Sequence, residues 1–507
     1  MNIINQTMSL PVSTPFIYTC KYFLKGEGIR ERASIIERDK ILRCWIDARQ
    51  SAVRRMDKMN LVTHSNVILH AFDWPYALVT ARAKQIAETG YKSVLVSPAM
   101  ASYKSEHGTP WWQRYQPQDY RIIDNQLGNK QDFIEMINTL AEFDIFVYVD
   151  VVFNHMANES MQRSDLQYPS TLQLQEYAQD HDYYQQQRLF GDLSQPLFQA
   201  EDFVEAFGIQ DWEDIWQVQN GRITGGEQDP GLPTLSDNAH VVAMQRAYLK
   251  SMKDLGVKGF RIDAAKHMTL EHLKKVWTKD IVSDVHIFGE IITDGGATKA
   301  EYELFLQPFL SQTHLGAYDF PLFQTLFDAM APEGSLTALI DPYCFGLALS
   351  QHRAITFAIT HDIPNNDVFA NLVMDEVQEA LAYSYVLGRD GGVPLVYSDL
   401  NPSGLVDRNG APRWQDAWCS SDMKARIAFY HQVHGQGMQV LEASDDILVF
   451  SRGDKGIVAL NKSTRRQQLA LPVTHDATDL LSGKRLLSNN GVLALTLGAG
   501  QSALLVF

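Results

Sequence analysis

The chain has 507 residues, of which 45% are apolar and 21% charged, a balance typical of folded globular proteins. Because single hydrophobic cores usually stop growing at about 250–300 residues, this length predicts two or more domains. A net charge of −16 argues against nucleic acid or an anionic membrane as a partner, since both select basic surfaces. A neutral ligand is compatible with this charge, and no apolar run approaches the ~18 residues of a membrane span.

The cysteines and the first residues bear on the compartment. The four cysteines are Cys20, Cys44, Cys344 and Cys419. Their spacing indicates neither a zinc site nor a redox motif, and scattered thiols fit a reducing compartment, with two disulfides as the alternative. The first twenty residues contain no lysine or arginine, and Pro11 and Pro15 interrupt the apolar pattern, unlike a signal peptide. We therefore expect a cytoplasmic protein.

Residues 1–64 differ in pattern from the rest of the chain. The stretch from Gly28 to Asn60 is dense in charge, with isoleucine and leucine interspersed, which predicts one or two amphipathic helices. We interpret residues 1–64 as an N-terminal helical extension that serves packing or oligomerisation.

From residue 65 onward, short β-rich runs alternate with helical patterns. Strands are predicted at 66–72, 93–97, 144–153, 257–262, 286–289, 354–360 and 394–397, and helices at 80–89, 131–143, 240–255 and 374–387. The third strand is apolar nearly throughout, as expected where both faces of a sheet are covered. This order predicts an α/β fold, a closed (β/α)8 TIM barrel of about eight units formed by residues 65–153 and 238–437.

Two further segments depart from the barrel pattern. Residues 154–237 are polar, rich in glutamine, aspartate and tyrosine, and too long for an ordinary loop. We expect them to form an inserted subdomain after strand three, over the mouth of the barrel. Residues 438–507 contain short strand-like runs separated by turn residues, which predicts a C-terminal antiparallel β domain of sandwich type.

Carboxylates at the strand ends indicate the chemistry, because catalytic side chains of such barrels lie at the C-terminal ends of the strands. Three predicted strands end near Asp263, Glu290 and Asp362, and Arg261 precedes the first of them by two residues. Cleavage of a glycosidic bond requires one carboxylate as nucleophile or stabiliser and one carboxylic acid as proton donor. The neighbouring cation of Arg261 should keep Asp263 ionised. Alone, each strand-end acid is more often a helix cap or a turn residue.

The order of four short strings strengthens this interpretation. They end the predicted strands three, four, five and seven, and read Asp150-Val-Val-Phe-Asn-His155, Gly259-Phe-Arg-Ile-Asp-Ala-Ala-Lys-His267, Phe288-Gly-Glu290 and Thr360-His-Asp362. In this order they resemble the four conserved regions of the α-amylase family of retaining glycoside hydrolases. The segments Trp111–Pro117 and Phe450–Gly456 are similar to segments of animal-type α-amylases and their bacterial relatives. The resemblance runs from about His70 to the C-terminus.

The resemblance implies roles for the charged residues. Asp263 matches the nucleophile, which forms a covalent glycosyl intermediate. Glu290 matches the general acid/base, and Asp362 matches the third acid, which binds sugar hydroxyls and stabilises the transition state. Arg261 matches the arginine that orients the nucleophile.

The resemblance also implies substrate-binding residues. His155 and His361 match histidines that hydrogen-bond the sugar in the cleaved subsite, and Lys266 and His267 match residues on the leaving-group side. The segment after the second strand supplies aromatic residues that stack on glucose rings, with Tyr115 as the strongest match. Its candidate substrate-binding residues are Trp111, Trp112, Tyr115 and Gln116. The alternative for adjacent tryptophans is ordinary core packing.

Calcium is an open expectation. Many relatives hold a structural calcium ion between barrel and insertion, and the resemblance implies Asn154 and the backbone of His267 as ligands. An aspartate in a Gly-Leu-x-Asp-Leu segment completes that site in the relatives, whereas residues 231–235 here read Gly-Leu-Pro-Thr-Leu. Because calcium prefers several oxygen ligands including charged ones, this loss weakens the case, although Asp229 or Asp237 could substitute.

Chloride is not expected. Relatives that bind it carry an asparagine immediately before the His-Asp pair, where this chain has Thr360. Activity should therefore not depend on chloride.

The first functional hypothesis is an endo-acting α-amylase-type hydrolase of α-1,4-glucans such as starch, glycogen or maltodextrin. A transglycosylase or an enzyme of short α-glucosides is the alternative, because a sugar hydroxyl can intercept the same intermediate. A non-catalytic homologue is disfavoured, since the three acids and Arg261 are all present. Retention predicts that the carboxyl groups of Asp263 and Glu290 lie roughly 5–5.5 Å apart. The oligomeric state is not predicted.

Overall fold

The computed structural model describes residues 65–105, 108–225, 229–293, 299–343 and 348–507. The extension predicted over residues 1–64, together with Cys20, Cys44 and Cys344, lies outside the described residues. Within them, no helix is both long and apolar enough to cross a membrane.

Eight parallel strands close into a barrel, as the sequence predicts. In chain order they are β1 Ile68–Ala71, β2 Ser93–Val96, β3 Phe146–Val152, β4 Gly259–Asp263, β5 His286–Gly289, β6 Gly316–Tyr318, β7 Ala354–Thr356 and β8 Val393–Ser398. Each strand pairs with the next, and β8 pairs with β1 to close the ring. The C-terminal ends of all eight strands therefore meet at one mouth of the barrel, where catalytic side chains of such barrels lie.

Helices connect the strands and continue into the insertion. They are α1 Tyr76–Thr89, α2 Lys130–Ala141, α3 Thr171–Gln179, α4 His181–Gln187, α5 Ile215–Asn220, α6 Ala239–Leu255, α7 Leu270–Val276, α8 Lys279–Val282, α9 Lys299–Glu301, α10 Gln307–Gln312, α11 Phe320–Met330, α12 Asp362–Asn365, α13 Glu376–Val386 and α14 Ser421–Val433. Helix α2 begins after Asn129, whose side chain accepts two backbone N–H groups in a capping box. Helix α1 ends at Gly90, which adopts a φ of 107° that favours glycine.

Two strands differ from the sequence prediction. Strand β6 is not among the predicted runs, because its three residues are too short to give a periodic signal. Strand β7 ends at Thr356 instead of extending to residue 360. Thr356 is paired with Pro394, which has no N–H to continue the ladder. Asp362 consequently lies beyond the strand, at the first residue of α12.

The insertion, with α3, α4 and α5, is joined to the barrel by backbone pairing. His155, just after β3, forms an isolated bridge with Thr234, and Phe203 forms another with Leu235. The first bridge brings both ends of the insertion together at the C-terminal end of β3, and the second joins its middle to its last residues.

The C-terminal part forms two antiparallel sheets from β9 Met438–Ala443, β10 Ile447–Arg452, β11 Gly456–Asn461, β12 Gln467–Leu471, β13 Ala477–Asp479, β14 Arg485–Leu486, β15 Ser488–Asn489, β16 Val492–Leu497 and β17 Gln501–Val506. The first sheet has the order β9-β10-β11-β17-β13-β14, and the second has β12-β16-β15. Side chains alternate along β10: Leu448 and Phe450 belong to the core shared with the barrel, whereas Ile447 and Val449 face the second sheet.

Candidate active site

The predicted acids lie at one end of the barrel. Asp263 is the last residue of β4, and Glu290 follows β5 directly. Because β4 and β5 are neighbouring parallel strands, their ends lie side by side. Asp150 lies two residues before the end of β3 and is completely buried.

One guanidinium joins all four carboxylates. The Nη1 of the fully buried Arg261 donates to Asp150 Oδ2 at 2.6 Å and to Asp263 Oδ1 at 2.9 Å. Its Nη2 donates to Glu290 Oε1 and lies 3.9 Å from Asp362 Oδ2. The structure thus brings together the three acids and the arginine that the sequence singled out, although Asp362 is not on a strand.

Hydrogen bonds orient the carboxyl group of Glu290, and burial raises its pKa. Its Oε2 accepts a hydrogen bond of 2.9 Å from the backbone N–H of Ala264, a residue held at a φ of 48° in the left-handed region. Burial raises the pKa of Glu290 to about 8, opposed by the cation of Arg261 and reinforced by the negative charge of Asp362. A carboxyl group with this pKa is protonated at neutral pH, as a general acid requires.

Burial also governs Asp263. The sequence suggests that Arg261 alone would lower the pKa of Asp263, but burial outweighs the cation, and the pKa is raised. The physical reason is that one guanidinium faces four carboxylates and cannot compensate all of them. The cluster therefore binds protons more tightly than isolated carboxyl groups do, and it titrates as one unit.

The two predicted histidines flank this cluster. His361 Nε2 lies 3.3 Å from Asp362 Oδ1, and the imidazole stacks on Tyr115 with centroids 5.5 Å apart. His155 Nε2 lies 3.0 Å from the carbonyl oxygen of Tyr115. Burial lowers the pKa of His155 to about 4 and that of His361 well below its ordinary value. Both rings are neutral at pH 7, which suits hydrogen bonding to uncharged hydroxyls.

The aromatic segment forms a 3₁₀ helix, Trp111–Tyr115, on the rim. Tyr115 is largely buried and donates its hydroxyl to Asp150 Oδ2 at 2.9 Å, so it supports the cluster more than it offers an open face. Trp111 lies edge-on to His361 at 5.9 Å. Trp112 is 40% exposed and stacks on Tyr103, which makes it the open platform of the three.

An ion pair fixes that helix. Arg114 is 1% exposed and donates to both carboxylate oxygens of Asp73, at 2.6 and 2.5 Å, just after β1. Gln116 uses its side-chain oxygen to accept the backbone N–H of Asn158 at 3.0 Å, which ties the segment to the insertion. Its predicted role as a substrate ligand stays a prediction.

Lys266 and His267 lie where the insertion meets the barrel. The ammonium of Lys266 pairs with Glu301 at 3.2 Å in a buried position. His267 Nδ1 lies 2.9 Å from the carbonyl oxygen of Val218 in α5, and the ring meets Trp212 edge-on at 5.8 Å. Both residues therefore contribute to a wall that the insertion completes.

Sequence reasoning missed two residues of this site. Asp150 contacts both Arg261 and Tyr115, and its signal was a single carboxylate within the apolar strand Phe146–Val152. Trp212 lies against His267, but nothing in the composition of the insertion separated it from other aromatic residues.

The residues near Asn154 do not fit a calcium ion. The Asn154 carbonyl accepts the N–H of Leu235 at 2.9 Å, and Thr234, in the position of the missing carboxylate, donates its hydroxyl to the Gly221 carbonyl at 2.9 Å. The predicted substitutes have other partners: Asp229 accepts from Asn158, and Asp237 pairs with Lys275. Thr234 thus replaces the carboxylate of the relatives' site, and both predicted substitute carboxylates have other partners, whereas calcium prefers several oxygen ligands including charged ones.

A parallel eight-stranded barrel whose C-terminal mouth holds a buried arginine among carboxylates defines the class as a TIM-barrel glycoside hydrolase. Residues 78–305 match the family model "Alpha amylase, catalytic domain". The chain is 50% identical over 407 residues to the α-amylase of Aeromonas hydrophila, covering 80% of this chain and 86% of that protein. It is 27% identical over 440 residues to the α-amylase of Thermomonospora curvata, covering 80% and 66%.

Solved structures share the fold. The α-amylase I of Eisenia fetida superimposes with a TM-score of 0.70 at 19% identity, covering 88% of this chain and 98% of that chain. A mutant of the same enzyme in complex with maltohexaose gives a TM-score of 0.68 at 19% identity, covering 89% and 99%. The chain therefore belongs to the α-amylase family. It is a glycoside hydrolase of the α-amylase type, the type that cleaves α-1,4-glucosidic bonds.

Proposed function

We propose that this enzyme cleaves α-1,4 bonds inside starch, glycogen or maltodextrin chains by double displacement. The observation that carries the proposal is the contact of Asp263 and Glu290 with the two arms of one guanidinium, Arg261. A nucleophile and a proton donor are thereby held beside each other on adjacent strands. The Eisenia fetida relative, as a mutant, is described in complex with maltohexaose, which supports a glucan substrate.

The first half of the reaction forms the covalent intermediate. Glu290 gives its proton to the glycosidic oxygen, and Asp263 attacks the anomeric carbon while the bond to the leaving chain breaks. Arg261 holds Asp263 Oδ1 at 2.9 Å, so the attacking carboxylate is oriented before the substrate arrives. Neutral His155 and His361 offer hydrogen bonds to sugar hydroxyls without adding charge.

The second half restores the enzyme. Glu290, now ionised, takes a proton from water, and the resulting hydroxide attacks the anomeric carbon and releases Asp263. Two inversions give a product with the α configuration of the substrate. Asp362, which shares a hydrogen bond with Glu290, stabilises the charged, distorted ring between these states.

Release of reducing sugar from soluble starch tests the proposal. We expect activity from the wild type and a loss of at least about 10³-fold in Glu290→Gln, because an amide of the same shape cannot donate the proton. Absence of activity in both proteins would refute the proposal.

Transglycosylation is the second candidate, since the same intermediate can react with a sugar hydroxyl. Incubation with maltoheptaose separates the two: hydrolysis gives only shorter oligomers, whereas disproportionation gives oligomers longer than the substrate. We propose hydrolysis as the main outcome, on the strength of the 50% identity to an α-amylase.

A further inference from the structure

The insertion carries a cluster of solvent-exposed apolar side chains at the start of α5. Trp212 is 44% exposed, Ile215 is 41% exposed, and Trp216 is 63% exposed. Phe207 stacks on Trp216 with ring centroids 5.0 Å apart and an interplanar angle of 3°. Phe207 therefore lies against one face of the indole, while 63% of Trp216 stays exposed. Neighbouring apolar side chains that are exposed to solvent often mark a binding surface.

Two contacts place this cluster beside His267, which the resemblance assigns to the leaving-group side of the cleft. The carbonyl oxygen of Val218, two residues after Trp216, is 2.9 Å from His267 Nδ1. Trp212 meets the same imidazole edge-on, with centroids 5.8 Å apart. The start of α5 is capped by Asp214, whose side chain accepts the backbone N–H of Trp216 at 2.9 Å.

The chemistry of the cluster suits a glucan. A pyranose ring has an apolar C–H face and a rim of hydroxyls, so it packs on a flat indole while its polar edge stays in water. A neutral polymer is not repelled by a chain with a net charge of −16. A face stiffened by a second stacked ring loses little conformational freedom on binding.

We propose that Trp216 and Phe207 form an outer binding site for the α-glucan chain that leaves the cleft past His267 and Trp212. This inference rests on the proposed function, because it takes the same polymer. It adds a preference: chains long enough to reach Trp216 bind more tightly than short ones, which directs cleavage to the interior of long glucans.

The ratio of two kcat/KM values tests the site. One substrate is a long amylose, and the other is a nitrophenyl maltotrioside, which places only the nitrophenyl group on the leaving-group side. In Trp216→Ala the ratio of kcat/KM for amylose to that for the maltotrioside falls about 3- to 10-fold, the loss expected for one stacked ring. Trp216→Tyr keeps a flat platform and restores most of the ratio.

The matched control is Phe146→Ala. Phe146 is 52% exposed and begins β3, at the opposite end of the barrel from the acids. We expect the ratio of the two kcat/KM values in Phe146→Ala to equal that of the wild type. An unchanged ratio in Trp216→Ala, or an equal fall in Phe146→Ala, would overturn the outer site.

Binding without turnover separates this proposal from the proposed function. Amylose retards Glu290→Gln in affinity electrophoresis, and adding Trp216→Ala reduces the retardation several-fold. If the wild type hydrolyses starch but the added Trp216→Ala substitution leaves the retardation unchanged, the outer site is refuted and the proposed function is kept. If retardation depends on Trp216 while the wild type releases no sugar from starch, the proposed function is refuted and the glucan-binding site is kept.

Discussion

Two buried arginines, Arg261 in the barrel mouth and Arg452 at the C-terminal sheet, show what surroundings do to one residue type. Both are nearly inaccessible to solvent, at 0% and 3% exposure. Arg261 is surrounded by four carboxylates, and these acids raise its pKa above the ordinary value despite burial. Within the part of the chain that the structure describes, Arg452 donates only to neutral carbonyls, and burial lowers its pKa.

The partners of Arg452 explain its structural role. They are the carbonyl oxygens of Gly388, Arg389, Val433 and Gln436, at 2.5 to 3.2 Å. Val433 is the last residue of α14, and the other three carbonyls lie two or three residues beyond the C-terminal ends of α13 and α14, where the helix dipole favours a cation. Arg452 thus joins two barrel helices to β10. With neutral partners a buried arginine stabilises a domain junction, whereas with acidic partners it creates a cluster that exchanges protons.

The largest effect on activity is expected from a substitution of Arg261 in the barrel mouth. Arg261→Gln leaves the buried acids without their cation, so kcat falls at least about 10³-fold and unfolding becomes easier by about 3–5 kcal/mol. Starch assays and urea unfolding measure both quantities. Arg261→Lys retains the positive charge but not the two-armed guanidinium. Its kcat and its free energy of unfolding should therefore lie between those of the wild type and those of Arg261→Gln. Near-normal activity in Arg261→Gln would contradict the role of the arginine.

The next effect separates stability from catalysis. Arg452→Gln leaves buried carbonyls without donors, so we expect a loss of about 3 kcal/mol in the free energy of unfolding. The kcat/KM of the folded enzyme should stay within about twofold, since the hydrogen-bond partners of Arg452 include none of the acids in the barrel mouth. Denaturant titration and assays at a temperature well below the melting midpoint check this. A large fall in kcat would show that the junction and the site are coupled.

A pH titration sharpens the comparison further. Because the pKa of Glu290 is raised to about 8 in the folded protein, the folded state binds a proton that the unfolded state releases at lower pH. The contribution to stability is complete below about pH 4.5 and is lost as the pH rises towards 8, by up to ~1.4 kcal/mol per pH unit. The unfolding free energy of the wild type minus that of Glu290→Gln should therefore decrease with pH. The kcat/KM of the wild type should also fall as the pH rises through about 8. If the difference in unfolding free energy between the two proteins increased with pH, the raised pKa of Glu290 would be contradicted.

The smallest effect concerns ions. We propose that neither calcium nor chloride is required, because Thr234 stands in place of the calcium-binding carboxylate of relatives and Thr360 replaces the asparagine of chloride-binding relatives. Dialysis against a chelator should shift the melting temperature by less than about 1 °C, and exchanging chloride for another anion at constant ionic strength should leave activity unchanged. Strong activation by either ion would reverse the proposal.

The sequence predicted the barrel and most of the site for physical reasons. Long amphipathic helices such as α2 and α6, and apolar strands such as β3, had clear periodic patterns. Asp263 and Glu290 could be found from their positions at predicted strand ends together with the order of the four strings. The position of Asp362 could not, because it depends on where Pro394 interrupts the ladder of β7. The direction of the Asp263 pKa depends on burial among four acids, and the contact of Trp212 with His267 depends on tertiary packing of the insertion.

Trapping the glycosyl-enzyme tests the central claim most directly. An activated fluorosugar of the maltosyl type, which forms the intermediate faster than water removes it, should label the enzyme once. Peptide mapping by mass spectrometry should then place the sugar on Asp263. A label on Glu290, Asp362 or Asp150 instead, or release of the inverted anomer without any label, would contradict the assignment of nucleophile and proton donor around Arg261.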